Sequence, residues 1–268
     1  MSKLIKINLL SSLRPRLLWI ITVLFIVLGL TNSYKLSSNS SVENINVNVW
    51  DFLLLSVGGL NITANLWDFL GWISVIVPII LFVHHLREAN RSLDLFMFVR
   101  SSSRIRWWLA KIIALTVIVL SYSLLLFFVQ FLTGIFFFSF STGWSSYTAE
   151  MYPLLVDLNW EPIVVFCEIF IIFVSGLLAF SMIAQTLSLF WQNTMVVYVV
   201  YLIASVVLGR LYLTETLSRA SSPLHYASFV DLIPKLSESW AYMGINLGIC
   251  LIVILISLWR LRNANVIS

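Results

Sequence analysis

Charge is what this sequence has least of. Asp, Glu, Lys and Arg make up 10% of its 268 residues, against 60% hydrophobic ones. A soluble domain carries about 25% charged residues. So little charge cannot cover a water-facing surface, and a mean hydropathy of +0.97 makes lipid the solvent for most of the chain. The pI near 9.2 does not argue for nucleic acid, because the basic residues are spread between apolar runs and read as membrane topology. Cysteine is also scarce. Cys167 and Cys250 each lie in an apolar run, where two thiols in different spans serve as small packing residues rather than as a bridge or a metal site. No Gly-x-x-x-x-Gly-Lys-Ser/Thr occurs, so the chain has no P-loop to cradle ATP phosphates. The acids and serines of the loops lack the spacing of a nucleophile, base and orienting group, and the spans are almost free of such groups. His84 and His85 would point about 100° apart on a helix with no third ligand near. They read as interfacial polar residues, and His225 stands alone in its loop.

What is present is a series of apolar runs, about 20 residues being enough to cross a bilayer. Residues 1–16 carry Lys3, Lys6, Arg14 and Arg16 with no acid and suit a position along the membrane surface. The first run opens at Leu17 and no small-residue cleavage pattern closes it, so 17–32 reads as a retained span. Residues 52–67 hold Gly58, Gly59, Asn61, Thr63 and Asn65, too polar for a span and better suited to an interfacial or re-entrant segment. The second span is 69–83, with Pro78 inside it. Proline frees a carbonyl and kinks the helix, and simple packing and a bend beside a pathway are both open. The third span is 107–135. The surplus beyond it, with Phe136, Phe137, Phe138, Phe140, Trp144 and Tyr147, suits an aromatic belt. Glu161-Pro162 opens a fourth span, acid and proline standing where a helix N-terminus favours them. The uncharged stretch 169–209 would be about 62 Å long as one helix, twice a bilayer core. It must fold back at Trp191-Gln192-Asn193-Thr194, giving spans 163–190 and 195–212. An outer loop of 213–238 leads to the sixth span, 239–259. The fold expected is therefore an all-α integral membrane domain of six transmembrane helices.

With both termini cytoplasmic, twelve of the sixteen basic residues lie inside, and Lys35, Arg210, Arg219 and Lys235 lie outside. Of the acids only Glu88 and Asp94 lie inside. Basic-residue asymmetry sets topology. Six of the bases fall in 84–111, between the second and third spans. On a helical wheel Ala89, Leu93, Phe96 and Met97 share one face, and Arg87, Glu88, Arg91 and Asp94 the other. That describes an amphipathic helix at the membrane surface. A basic anchor would suffice to fix topology, but acids among the bases suit protein recognition, where charge complementarity sets register.

These residues resemble the membrane subunits of ABC-2-type ATP-binding-cassette transporters, in which a cytoplasmic coupling helix lies between the second and third of six spans. Arg87-Glu88, Ser92-Leu93-Asp94, Ser103-Arg104 and Lys111 match that family's loose pattern, and Ser222-Pro223-Leu224-His225-Tyr226 before the last span is similar too. Arg91 stands where glycine is usual, and Ser101 where proline is usual. The resemblance implies a permease without ATPase motifs of its own, in the cell membrane of a bacterium. It would work with a second copy or a homologous permease, and with a separate ATPase that binds ATP and Mg. That ATPase would dock on Arg87, Glu88, Arg91, Asp94, Arg104 and Lys111. It also implies a path lined by spans one, two and five. Spans this apolar suit an amphipathic cargo, such as a peptide or drug, in export or self-protection. A membrane enzyme or a scaffold or sensor is the competing class. Glu168 is the one acid inside a span and sits at a depth similar to Arg210. An ion pair joining two spans is its structural reading, and contact with substrate or proton its functional one.

Overall fold

The computed structural model describes residues 2–43, 45–60, 66–88, 104–191, 193–214, 216, 218, 221–230, 232–233 and 239–263. Among them the chain is all-α, with an isolated bridge between Asn48 and Ser139 as its nearest approach to a strand. Eleven helices follow in order: α1 (Ser2–Ser12), α2 (Pro15–Glu43), α3 (Val49–Val57), α4 (Leu66–Ile76), α5 (Pro78–Glu88), α6 (Arg104–Phe137), α7 (Ser146–Met151), α8 (Pro153–Asp157), α9 (Pro162–Leu187), α10 (Thr194–Leu213) and α11 (Ser239–Asn263). Six stretches are long and apolar enough to cross a membrane: Pro15–Ser38, Leu66–Arg87, Arg104–Phe137, Pro162–Leu187, Thr194–Leu213 and Ser239–Asn263. The chain is a multi-pass membrane protein. Its two ends differ in charge, and the end carrying α1, the last turn of α5 and the first turn of α6 is here the basic end.

The second span is two helices. Val77 is a turn, and Pro78 begins α5. The break leaves carbonyls without helical donors, and the Tyr122 hydroxyl of α6 donates to the Val75 carbonyl there. A neighbour thus satisfies backbone that proline has freed. Tyr122 also sets its ring between Phe25 of α2 and Phe82 of α5, at 5.1 and 6.2 Å. Helix packing within lipid relies on close van der Waals fit and interhelical hydrogen bonds. Here Gly29 of α2 faces Thr133 of α6, and the Gln130 side chain donates to the Phe25 carbonyl at 2.9 Å.

At the acidic end the connections are part of the core. Of the stretch 52–67, expected to be interfacial or re-entrant, residues 52–57 belong to a helix, 49–57, that is buried against α6 with Phe52 packed at Gly134, and 61–65 lie outside the described residues. Asn48 and Asp51 close its N-terminus as a capping box. The same Asp51 accepts from the Thr148 hydroxyl, while Asn48 donates to the Ser141 hydroxyl at 2.8 Å and the Gly143 carbonyl at 3.0 Å. Burial raises the Asp51 carboxyl above the ordinary carboxylate range, although Ser145, Thr148 and Asn48 pull the other way through hydrogen bonds. The Tyr152 hydroxyl is pushed up to about 12 by burial first and then by Tyr147 and Asp68. The aromatic belt is split: Phe136, Phe137 and Phe140 are exposed, whereas Phe138 and Tyr147 are buried in the α3 cluster.

The connection after α10 is likewise not a free outer loop. Residues 222–230 are buried throughout. The Gly58 carbonyl accepts from Phe229 and Val230 at 2.7 and 2.9 Å, and the Leu60 amide donates to the Ser228 hydroxyl at 3.0 Å. Gly59 has φ +102°, and a β-carbon there would lie 2.3 Å from Ser228. Trp72 of α4 donates to the Leu224 carbonyl at 2.9 Å, and Asn246 of α11 to the Tyr226 carbonyl at 3.1 Å. Gly176 of α9 lets this backbone approach, since a β-carbon would sit 2.2 Å from Tyr226.

Candidate functional site

The basic end is built from helix termini. α5 carries the second span through Arg87 and ends at Glu88, and α6 begins at Arg104. Residues 89–103 between them lie outside the described residues, and with them Arg91, Asp94 and the expected coupling helix. Both flanks are fastened to other spans. The Arg87 guanidinium donates to the carbonyl of Ser188, the C-cap of α9, at 3.4 Å. The Arg104 guanidinium donates to the Leu261 carbonyl in the last turns of α11, also at 3.4 Å. One turn along α6, the Trp108 indole N–H donates to the Ser257 hydroxyl of α11 at 2.7 Å.

Lys111 is fully buried, with its ammonium 4.5 Å from the centre of the Trp107 ring. Burying a charge is costly unless it finds compensation, and a desolvated cation over an indole face gains about 2 kcal/mol. Arg106 points outward, and Arg260 lies over the Phe190 ring at 5.5 Å. α1 packs on α5 and α6 with Asn8 and Ser12 buried, so it is docked on the bundle as well as lined with basic residues. Trp107, Trp108, Ser188 and Ser257 were not legible as site residues. Their only signal was the Trp-Trp pair directly after Arg106.

No protein-family model, curated protein or solved structure matches the chain. The site is therefore read from its own geometry.

Glu168 and Arg210 are not brought together. Arg210 is exposed and lies over Phe69 of α4 at 5.5 Å. Glu168 faces Ser239 at the start of α11, beside Ile172 and Trp240. The expected ion pair fails because equal depth in two helices does not fix the direction each side chain takes around its axis. The pair that does form at the acidic end is Lys35–Asp68, tying the extension of α2 to the start of α4. His84 meets Tyr198 edge-on at 5.8 Å and His85 at 5.9 Å. Among the described residues no three His, Cys, Asp or Glu side chains gather as a metal-ligand set.

Proposed function

We propose that the chain is the membrane permease subunit of an ATP-driven transporter of the ABC-2 type, with residues 87–106 as its ATPase-docking segment. The observation that carries this reading is the fastening of both flanks of that segment. Arg87 reaches α9 and Arg104 reaches α11, while α1 lies against both supporting helices. In this reading a displacement applied there is passed to four spans through the helix ends that bear Arg87 and Arg104. Rigid-body movement of packed helices is how a push at one surface becomes a change of state. Resemblance in Arg87-Glu88, Ser92-Leu93-Asp94, Ser103-Arg104 and Lys111 supports the same reading.

In this reading the basic end is cytoplasmic, both termini are inside, and the membrane is the cell membrane of a bacterium. A separate ATPase holds ATP and Mg. Two permease copies meet, and the cargo exported is an amphipathic peptide or drug. α2 and α10 leave most of their surface bare in the single chain, as surfaces that meet a second copy would.

The test is purification of the tagged chain from its native membranes. A P-loop ATPase should accompany it and hydrolyse ATP in the complex. Reversing charge at Arg91→Glu together with Asp94→Lys should release that ATPase while the chain stays folded. Cargo movement that continues without ATP, or an unchanged complex with the doubly reversed chain, overturns the proposal.

A further inference from the structure

Between α6 and α9, toward the acidic end, lies a groove of about 1060 Å³. That is at the upper end of the volumes of small-molecule sites. Its deep wall is aromatic: Phe127 meets Phe166 at 5.3 Å and Phe170 at 5.1 Å. Trp50 and Phe140 cover one end, their rings 5.7 Å apart, and the Trp50 indole N–H is held on the Ser141 carbonyl at 2.7 Å. A site wall fixed in this way is preformed rather than improvised.

Among the described residues one charged group lines the groove, Glu161, and no basic one does. Glu161 is exposed, and although it is the N-cap residue of α9 its side chain makes no cap hydrogen bond. Along α9 the lining runs from Glu161 to Ile171, ten residues or about 15 Å of helix, which is half the thickness of a bilayer core. The groove is thus one leaflet deep, with a carboxylate at its mouth and ring faces along its length. Aromatic faces and carboxylates both attract cations, and among the described residues this end also carries Asp68, Glu150 and Asp157 against Lys35 and Arg210, which raises the local concentration of positive ligands.

We infer that this groove binds cationic amphiphiles, which enter sideways from the membrane, set the charged head at Glu161 and lay the tail along Phe127, Phe166 and Phe170. The site stands apart from the path expected from spans one, two and five, and it needs no ATPase to be detected. An ordinary lipid tail could enter the groove but gains nothing from Glu161.

The chain supplies its own reporter. Cys167 is exposed and lines the groove, whereas Cys250 is buried. In phosphatidylcholine nanodiscs, a fluorescent maleimide should modify Cys167 alone. Dodecyltrimethylammonium should slow that modification about five-fold, the worth of one carboxylate–cation or cation–ring contact, at a concentration where dodecanol has no effect. Dodecyl sulfate should protect least. Glu161→Gln should erase the advantage of the ammonium, and Leu124→Trp, which fills the groove from α6, should erase protection altogether. Equal protection by ammonium, alcohol and sulfate on the unaltered chain overturns the inference and leaves a groove for any acyl chain. So does a Glu161→Gln chain that still prefers the ammonium.

Discussion

At the acidic end of the bundle the connecting segments are buried and bonded to one another. At the basic end the helix termini themselves present arginine and lysine. The first end closes with a capping box, carbonyl contacts and packed rings from 48–60, 138–152 and 222–230. The second holds its spans in register through a few long side chains reaching neighbouring carbonyls. A surface closed by its own chain resists deformation, because each polar group given up there would be stranded. A surface built from helix ends that bear guanidinium groups keeps charge within reach of an incoming protein while its spans stay joined, which suits the end proposed to receive an ATPase.

Six substitutions at five positions break or sharpen that contrast. The largest effect is expected at Gly176→Val, where even a β-carbon meets Tyr226 backbone at 2.2 Å. Overpacking against backbone should cost about 3 kcal/mol or more, seen as loss of a cooperative melt in detergent, and a normal melt would show that 222–230 is not seated there. Asp51→Ala comes next at about 1–3 kcal/mol, the reciprocal half of the capping box lost and the Asn48 amide and Thr148 hydroxyl stranded. Burial raises the Asp51 carboxyl, so the folded chain holds its proton more tightly than the unfolded chain does. Stability is therefore greatest below the ordinary carboxylate pKa and declines as pH rises through it to the raised value. Asp51→Asn, which still accepts from the Asn48 amide, should flatten that part of the pH–stability profile.

At the basic end the expected costs are smaller. Lys111→Met fits the same space beside Trp107 and should cost about 2 kcal/mol or less, and in the proposed transporter it should uncouple ATP hydrolysis from transport. Unfolding of this variant would make Lys111 a structural residue instead. Arg104→Ala removes one long contact to Leu261 and should lower stability by about 1 kcal/mol, read as a shift of a few degrees in melting temperature. The smallest change is Lys35→Met. The Lys35–Asp68 pair is about a third exposed on each side, and such pairs contribute about 0–1 kcal/mol. A larger loss would mean that the acidic end depends on charge as much as on burial.

The six spans were legible because their signals are local. Apolar runs, the Glu161-Pro162 start, the polar break before Asn193 and the proline at 78 each act on the residues beside them. α3 was not, because its stability comes from Ser141, Gly143 and Thr148, more than ninety positions away. The seating of 222–230 was hidden for a related reason. Its evidence lay in three glycines, at 58, 59 and 176, whose significance depends on which backbone approaches them. For Glu168 and Arg210 the sequence supplied depth but not azimuth. α9 turns mainly toward α11, whereas α10 meets 223–225 through Leu224 at Gly209.

α6 has a geometric consequence for any model of how the chain moves. Its 34 residues make a rod of about 51 Å, against a bilayer core of about 30 Å. One extremity bears Arg104 and the stacked Trp107 and Lys111, and the other seats Phe52 at Gly134. A tilt of about 5° around the midpoint of such a rod swings each extremity by about 2 Å in opposite directions. The floor beneath α3 therefore registers any rotation that begins at Arg104, with no flexible joint in between to dissipate it.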